Sequence, residues 1–430
     1  MGIPDPENPL AIFYTDYYKY NRKLLEICGL WPELGRARKI IMMILFSLLM
    51  TSLIIPMVHC YKIVLTHRST TIFIKGAGAI HYFHKGRIMY VVEDLIGLLY
   101  LTVASSKYFT YRAFEGRILR LYHQVGEDWR NTTDEEERKI LQEYSEFARL
   151  LSIIYFVYAA IGAFYFNMSP YLPLGLDRWM PLENNETRVR IRTYHPYYFD
   201  LIDVEKYYYE CYFFHGNSVV YISTMVGLSV ESMTAFNVQH ICALFHIVGH
   251  RLRKIGSTLE INAKGEKIAR VDDITVVRQI KHVCGMHRTS IDSVELLQSS
   301  FGMNWLVFLI GTVTGIALLM FDLIFSMKHP LEKMTGLVIF IGIQILIFYV
   351  NWIAQKLTDS TEQIFLAACE TSWYNLSVKG QKLVYFMMQK NIIPLTLTAG
   401  GIAELNFQQF ASVSKTSMSY AMVILQMNDE

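Results

Sequence analysis

The sequence is poor in charged residues and lacks the short motifs of common enzymes. Charged residues make up 18% of the 430 residues, against about 25% in an average soluble domain. Hydrophobic residues reach 52%, which is more apolar surface than a soluble chain of this size would readily cover. No Gly-x-Ser-x-Gly elbow, Walker loop or His-Glu-x-x-His metal motif occurs. We therefore expect no enzyme activity.

Two further shortages exclude other classes of protein. The six cysteines lie far apart without a Cys-x-x-Cys pair, which argues against a disulfide framework or a zinc site, and no cofactor is expected. The net charge is only +2, and Lys and Arg are scattered along the chain, so a nucleic-acid partner is not indicated. The amino terminus lacks the pattern of a cleaved signal peptide. We expect the first spanning helix to direct membrane insertion.

What the sequence does contain is a series of membrane-length apolar runs. A transmembrane helix needs about 20 mostly apolar residues, and five stretches without Asp, Glu, Lys or Arg reach that length. Two weaker runs contain charges, as expected of helices that partly face protein or water. The predicted fold is therefore an all-α membrane protein of seven helices, over residues 40–61, 88–106, 150–176, 211–230, 296–321, 334–355 and 402–426.

The basic residues predict the orientation of these helices. With a cytosolic amino terminus, 27 of the 40 Lys and Arg fall in cytosolic segments, in agreement with the positive-inside rule. The carboxy terminus is then extracellular, which is the inverse of a G-protein-coupled receptor. Among the glycosylation sequons, Asn185 lies in the predicted outer loop and should carry a glycan, whereas Asn131 and Asn375 fall on the cytosolic side.

The cytosolic connections after the second and fourth spans are long and charged. The second of them carries Ile241, Leu244, Phe245 and Val248 at helical spacing. We predict that both connections are helices that continue out of the membrane. They are either solvated or packed between subunits as a cytosolic anchor.

From residue 351 onward the chain carries several short motifs in a fixed order. They are Asn351-Trp352, Trp373-Tyr374, Gln389-Lys390 followed by Pro394, Ala399-Gly400 and Ser419-Tyr420. Their order resembles the carboxy-terminal region of the insect odorant receptors, and Asp128-Trp129 and Leu172-Pro173 are weaker matches to the same family.

The resemblance implies a function and a partner. Odorant receptors of this kind are tuning subunits that form a tetramer with a shared odorant co-receptor, in the plasma membrane of a sensory neuron, and conduct cations when a small volatile ligand binds. The long cytosolic insertion expected of the co-receptor between the fourth and fifth helices is not evident here. The chain is therefore interpreted as a tuning subunit, divided into a cytosolic amino-terminal segment (1–39), helices 1 to 6 with the odorant pocket (40–355), anchor helices (356–401) and the pore-lining helix with the carboxy terminus (402–430).

The resemblance also implies where the ligand binds. The family places the pocket in the outer half of the second, third, fourth and sixth helices. For a volatile, mostly apolar ligand we expect a closed, apolar pocket with few polar groups. In this sequence the corresponding positions are Phe83, Tyr90, Val91, Tyr155, Tyr158, Gly162, Tyr208, Tyr212, His215, Thr335, Val338, Ile339 and Gly342.

The last helix is the candidate pore helix. By resemblance Val423 takes the gate position with Gln426 beside it, and Met427 lies one turn beyond Val423 on the same face. A ring of such apolar residues from several subunits can close a pore by dewetting.

Other receptor and transporter classes remain as alternatives. A gustatory receptor of the same superfamily would share the helices and the gate but end in a motif closer to Thr-Tyr-x-x-x-x-x-Gln-Phe, whereas this chain has Ser419-Tyr420 and Gln426-Met427. A G-protein-coupled receptor would show Asp-Arg-Tyr or Asn-Pro-x-x-Tyr, and neither is present. A secondary transporter would show paired broken helices or related halves, which are not visible.

Overall fold

The structure is a computed structural model that describes residues 8–66, 77–180, 187–188, 212–257, 273–325 and 330–429. Long helices dominate these residues. The α-helices are α1 (Lys19–Ile27), α2 (Arg36–Thr66), α3 (Ala77–Ala113), α4 (Glu115–Asn131), α5 (Glu135–Met168), α6 (Leu172–Trp179), α7 (Asn217–Ser257), α8 (Asp273–Phe325), α9 (Pro330–Glu370), α10 (Val378–Lys390) and α11 (Phe407–Asp429). Short 3₁₀ helices cover Pro9–Tyr14, Ser169–Tyr171 and Trp373–Asn375, and one π-helical turn, Tyr212–Gly216, leads into α7.

The predicted spans coincide with long helices. Four segments of the described chain are long and apolar enough to cross a membrane, Glu135–Trp179, Phe214–Ile255, Ile274–Phe325 and Pro330–Glu370. They contain the third, fifth and sixth predicted spans and residues 214–230 of the fourth. The first, second and seventh predicted spans correspond to α2, α3 and α11. The mostly helical fold is confirmed, and the count of seven spans and their orientation stay predictions.

Helix α7 forms the centre of the bundle. In its most apolar 18-residue stretch 72% of the residues are buried, compared with 22–28% in the corresponding stretches of α5, α8 and α9. It packs against α5, α9, α8 and α3. The outer helices leave large apolar side chains such as Ile161 and Ile310 exposed, as expected of surfaces that face lipid or another subunit.

The connections after the second and fourth predicted spans, which the sequence predicts to be cytosolic, are helical where the structure describes them. Helix α4 and the start of α5 fill the first connection, and α7 and α8 extend into the second. The Trp129 indole N–H donates to the Tyr18 hydroxyl (2.8 Å), and His240 pairs with Asp128 (3.0 Å). Tyr18 is fully buried, and its burial raises the pKa of the phenol. The Asp128-Trp129 motif therefore joins α4 to the amino-terminal segment and to α7.

The start of the last helix differs from the prediction. It begins at Phe407 rather than at residue 402, and the preceding residues form a small antiparallel hairpin with strands β1 (Thr398–Ala399) and β2 (Ala403–Glu404). Gly400 and Gly401 form the turn with φ of 62° and 73°, a conformation that glycine adopts without steric cost. The charge of Glu404 thus lies in a strand and not inside the helix.

Candidate ligand site and pore helix

Three tyrosines of α5 bridge to α9 along one line. The Tyr158 hydroxyl donates to the Gly342 carbonyl (2.6 Å), and the Tyr155 ring stacks on Tyr349 with centroids 4.8 Å apart. Further along, the Tyr165 hydroxyl lies 3.4 Å from the Thr335 hydroxyl. We call this set the tyrosine seam, formed by Tyr155, Tyr158, Tyr165, Thr335, Gly342 and Tyr349.

The spacing of the seam follows from helix geometry. Thr335, Gly342 and Tyr349 are seven residues apart on α9, and two turns bring such positions back to nearly the same face. The α5 tyrosines lie three and seven residues apart and meet these positions in the opposite chain direction. The seam therefore joins two antiparallel helices through aromatic side chains rather than through close backbone packing.

Two glycines lie along the seam. Gly162 lies between Tyr158 and Tyr165 on α5, and a Cβ atom built there would meet nothing within 4 Å. Opposite, a Cβ atom at Gly342 would lie 3.1 Å from the Tyr158 hydroxyl, so a side chain there would crowd the bridge. Gly162 is exposed, so the space beside it opens to the outside of the chain and is bordered on one side by the rings and hydroxyl groups of the seam. Such a lining suits a small ligand with at most one polar group.

The other predicted pocket residues occupy different surroundings. Ile339 is half-buried beside the seam, and Val338 and Gly162 are exposed. The His215 Nε2 atom lies 2.7 Å from the Ser52 hydroxyl of α2, so this side chain bridges helices other than α5 and α9. Tyr208 and the side chains of Phe83, Tyr90, Val91 and Tyr212 lie outside the described residues, as does the glycosylation candidate Asn185.

Helix α11, the candidate pore helix, has one face against the bundle and one exposed face. Val413 and Ser417 are buried, whereas Val423 is 52% exposed and Gln426 is also exposed. Val423 lies six residues beyond Ser417, which rotates it by about 120° from that buried position. The predicted gate residue therefore projects away from its own bundle. The side chain of Met427 lies outside the described residues.

The hairpin that precedes α11 is held by α8. The Gln298 side-chain amide donates to the Thr398 carbonyl (2.8 Å) and hydroxyl (2.9 Å), and its oxygen accepts from the Thr398 N–H (2.9 Å). The Gly400 N–H donates to the Gly302 carbonyl (2.8 Å). A Cβ atom at Gly302 would lie 2.6 Å from the Gln298 amide nitrogen. We call these contacts the hairpin clamp (Gln298, Gly302, Thr398 and Gly400).

A buried ion pair lies close to the hairpin. The Lys107 ammonium of α3 is 2.8 Å from the Glu231 carboxylate of α7, and their side chains are 4% and 5% exposed. Lys107 also lies over the Phe308 ring of α8, 5.3 Å from its centroid. Glu231 lines a small cavity of about 10 Å³ together with Trp305, Leu397 and other apolar residues. The pair thus ties α3 to α7 where α8 and the hairpin meet them.

Comparison with known proteins identifies the family. A family model described as 7tm odorant receptor matches residues 90–418, which is most of the chain. The chain belongs to the 7tm odorant receptor family. Its fold is similar to that of the insect olfactory receptor OR5 from Machilis hrabei in complex with eugenol, with a TM-score of 0.72 at 12% identity over 96% of this chain and 100% of that one.

A second structure supports the same fold. Another structure of the insect olfactory receptor OR5 from Machilis hrabei superposes on this odorant receptor with a TM-score of 0.67 at 16% identity, over 97% of this chain and 99% of that one. At these identities the likeness concerns the fold. No curated protein sequence matches this chain. The resemblance found in the carboxy-terminal motifs is confirmed, and the family is one of membrane receptors rather than enzymes.

Sequence reasoning missed several residues of this site. Tyr165 and Tyr349 complete the seam, and their intervals from Tyr158 and Gly342 could have indicated them. Gln298 carried no signal in the sequence, because its partner is the backbone of a residue 100 positions away.

Proposed function

We propose that this odorant receptor is a tuning subunit of a ligand-gated, non-selective cation channel of the plasma membrane, opened by a small volatile odorant together with the odorant co-receptor. The observation that carries the ligand part is the tyrosine seam with the open space beside Gly162. The observation that supports the channel part is the exposed Val423 face of α11, which a single chain leaves without a partner inside its own bundle. One such helix from each of four subunits would line a central path.

The chemistry of the seam indicates the class of ligand. Apolar rings with a few hydroxyl groups suit a small ring-containing odorant with one hydroxyl, ether or carbonyl oxygen. Micromolar affinity requires a binding free energy of about −8 kcal/mol. A ligand of about ten heavy atoms can supply this without a salt bridge. The fold match includes a receptor in complex with eugenol, a ligand of that chemical type.

The cytosolic end supports an assembly of several subunits. Helix α10 and the residues after it expose Tyr385, Phe386, Ile392 and Ile393 to between 59% and 80%. In a water-filled cytosol such apolar side chains are costly to leave uncovered. We assign this surface to contacts with neighbouring subunits, which corresponds to the anchor predicted from the sequence.

Recording from oocytes tests the proposal. The chain is expressed with and without the co-receptor and screened with an odorant panel, and the substitutions Tyr90→Ala, Tyr158→Ala, Tyr212→Ala and Ile339→Ala are compared. We expect odorant-evoked cation currents that require the co-receptor. The substitutions should shift the concentration response or reorder the ligands, because a change in the pocket alters the difference in affinity between open and closed states. Unchanged responses in all four variants at normal surface expression would exclude this pocket.

The orientation is tested by glycan mapping. Under the proposed topology Asn185→Gln removes the glycan from the protein, whereas Asn131→Gln and Asn375→Gln leave its electrophoretic mobility unchanged. A glycan on Asn131 would reverse the orientation and favour a G-protein-coupled receptor. A gustatory receptor channel of the same superfamily is distinguished by responses to soluble tastants in place of volatile odorants.

A further inference from the structure

Helix α9 presents different faces to the tyrosine seam and to the pore helix. Gly342 accepts the hydroxyl of Tyr158 from α5, and Gln344 accepts the hydroxyl of Ser414 from α11 at 2.9 Å. At about 100° per residue, two residues rotate the side chain by about 200°. The same short segment of α9 therefore contacts the ligand site on one side and the pore helix on the other.

An aromatic contact lies one turn from the polar one. The Phe348 ring of α9 stacks near Phe407, with centroids 6.0 Å apart and an interplanar angle of 20°, and meets Phe410 edge-on at 5.4 Å. Gln344 and Phe348 are four residues apart and share one face. They hold the first two turns of α11 between the hairpin clamp and the exposed Val423.

We propose that Gln344 and Phe348 are the positioning residues through which a ligand in the tyrosine seam moves the pore helix. A ligand that spreads Tyr158 from Gly342 displaces α9, and the two contacts make α11 follow. This inference rests on the ligand site and pore helix proposed above. Its physical basis is that α9 is one continuous helix from Pro330 to Glu370, so both faces move together.

A double-mutant cycle tests the polar contact. Gln344→Leu and Ser414→Ala are made singly and together, coexpressed with the co-receptor, and the half-maximal odorant concentration is measured with surface expression and cation permeability. We expect each single variant to raise that concentration by about tenfold, within the range of allosteric couplings. The double variant should show no larger shift than either single one, and Ser414→Thr, which keeps the hydroxyl, should respond like the wild type. Permeability ratios should stay unchanged, because the gate itself is intact.

Phe348→Leu tests the aromatic contact, with Phe164→Leu on the exposed face of α5 as its matched control. The first should raise the half-maximal concentration and the second should not. The proposal would be overturned if the increases in half-maximal concentration of the two single variants multiplied in the double variant of Gln344 and Ser414. Wild-type responses in Gln344→Leu and Phe348→Leu would overturn it as well.

A cross-link provides a measurement that does not depend on lost contacts. With Gln344→Cys and Ser414→Cys combined, a short bifunctional thiol reagent that contains a cleavable disulfide joins α9 to α11 across the span of the replaced glutamine side chain, and each single cysteine variant serves as control. If the two helices move as a unit, the cross-linked channel still opens with odorant. Loss of opening after cross-linking, restored by reductive cleavage, would mean that the helices separate during gating and would refute the inference.

The gate variant Val423→Ser distinguishes transmission through α9 from the pore role of α11. If Val423→Ser changes cation permeability while the cycle between Gln344 and Ser414 shows no coupling, only the transmission through α9 is wrong. If Val423→Ser also leaves permeability unchanged, the assignment of α11 as the pore helix is wrong.

Discussion

The two halves of this receptor are held together by interactions of different strength. At the predicted cytosolic end a buried ion pair joins Lys107 to Glu231, and Arg251 of α7 binds both carboxylate oxygens of Glu137 at 2.5 and 2.6 Å. Around the proposed ligand site, the helices α5 and α9 are joined by single tyrosine hydroxyls and stacked rings. The first half is fixed by charged groups, and the second is joined by neutral groups.

The difference shows where a small ligand can act. Removing one partner of a buried ion pair costs about 3–5 kcal/mol, whereas a neutral hydrogen bond contributes about 0.5–1.5 kcal/mol. A ligand of micromolar affinity has a total binding free energy of about −8 kcal/mol. Only the difference between its affinities for two conformations can shift their populations. The seam is therefore the part that such a ligand can rearrange, while the cytosolic end stays fixed.

The largest effect is expected from breaking the fixed half. Lys107→Met leaves the Glu231 carboxylate buried without its cation, at a cost of about 3–5 kcal/mol, a large part of the stability of a typical domain. We expect little folded receptor at the cell surface, measured by surface biotinylation and by the thermal transition of the detergent-solubilised protein.

Two variants serve as controls for this loss. Lys107→Met combined with Glu231→Leu should recover surface expression, because no unpaired charge remains. Lys382→Met changes an exposed lysine of α10 and should be neutral. Wild-type surface levels for Lys107→Met alone would mean that the pair does not hold the cytosolic half.

The hairpin clamp should give the next largest effect. Gln298→Glu removes both amide donors to Thr398 and places a carboxylate beside the Thr398 carbonyl. The interaction free energy lost is about 1–2 kcal/mol. A loss of this size changes the equilibrium between closed and open channel by a factor of about 5 to 30. We expect a larger current without odorant and a smaller odorant-evoked increment, since the base of α11 is no longer fixed. The control Gln279→Glu alters an exposed glutamine of the same helix. Equal basal currents in the two variants would show that the clamp does not influence the gate.

A smaller effect is expected in the half that contains the tyrosine seam. Tyr158→Phe keeps the ring but removes the hydroxyl that donates to Gly342. A neutral hydrogen bond of this kind contributes about 0.5–1.5 kcal/mol. Because an apolar odorant no longer has to break this bond, its half-maximal concentration should fall by about twofold to tenfold at unchanged surface expression. Tyr20→Phe, on the exposed side of α1, is the matched control. A rise in that concentration would indicate that the hydroxyl binds the ligand instead of closing the seam.

The sequence predicted the elements of this fold better than their contacts. Apolar run length predicted the long apolar helices, because membrane thickness sets the length of a spanning helix, and the order of short motifs after Asn351 indicated the family. The hairpin before α11 was missed because Gly400 and Gly401 act in a turn whose partner strands are only two residues long. Pocket positions on α5 and α9 came together at Tyr158 and Gly342. His215 instead bonds Ser52, and only tertiary packing decides which neighbour a helix-end histidine meets.

The smallest effect is expected at the tip of α11, the proposed pore helix. Val423 is exposed near the carboxy-terminal end of this helix. A branched apolar ring excludes hydrated ions because it cannot replace their water, so Val423→Ser should raise the current without odorant and alter cation permeability. In the proposed mixed tetramer the co-receptor would contribute the rest of the ring, so we expect a partial change. Val157→Ser, the same substitution on the exposed face of α5, should leave both quantities unchanged. Wild-type basal current, selectivity and blocker access in Val423→Ser would remove this helix from the conduction path, and the exposed face of α11 would then need another partner.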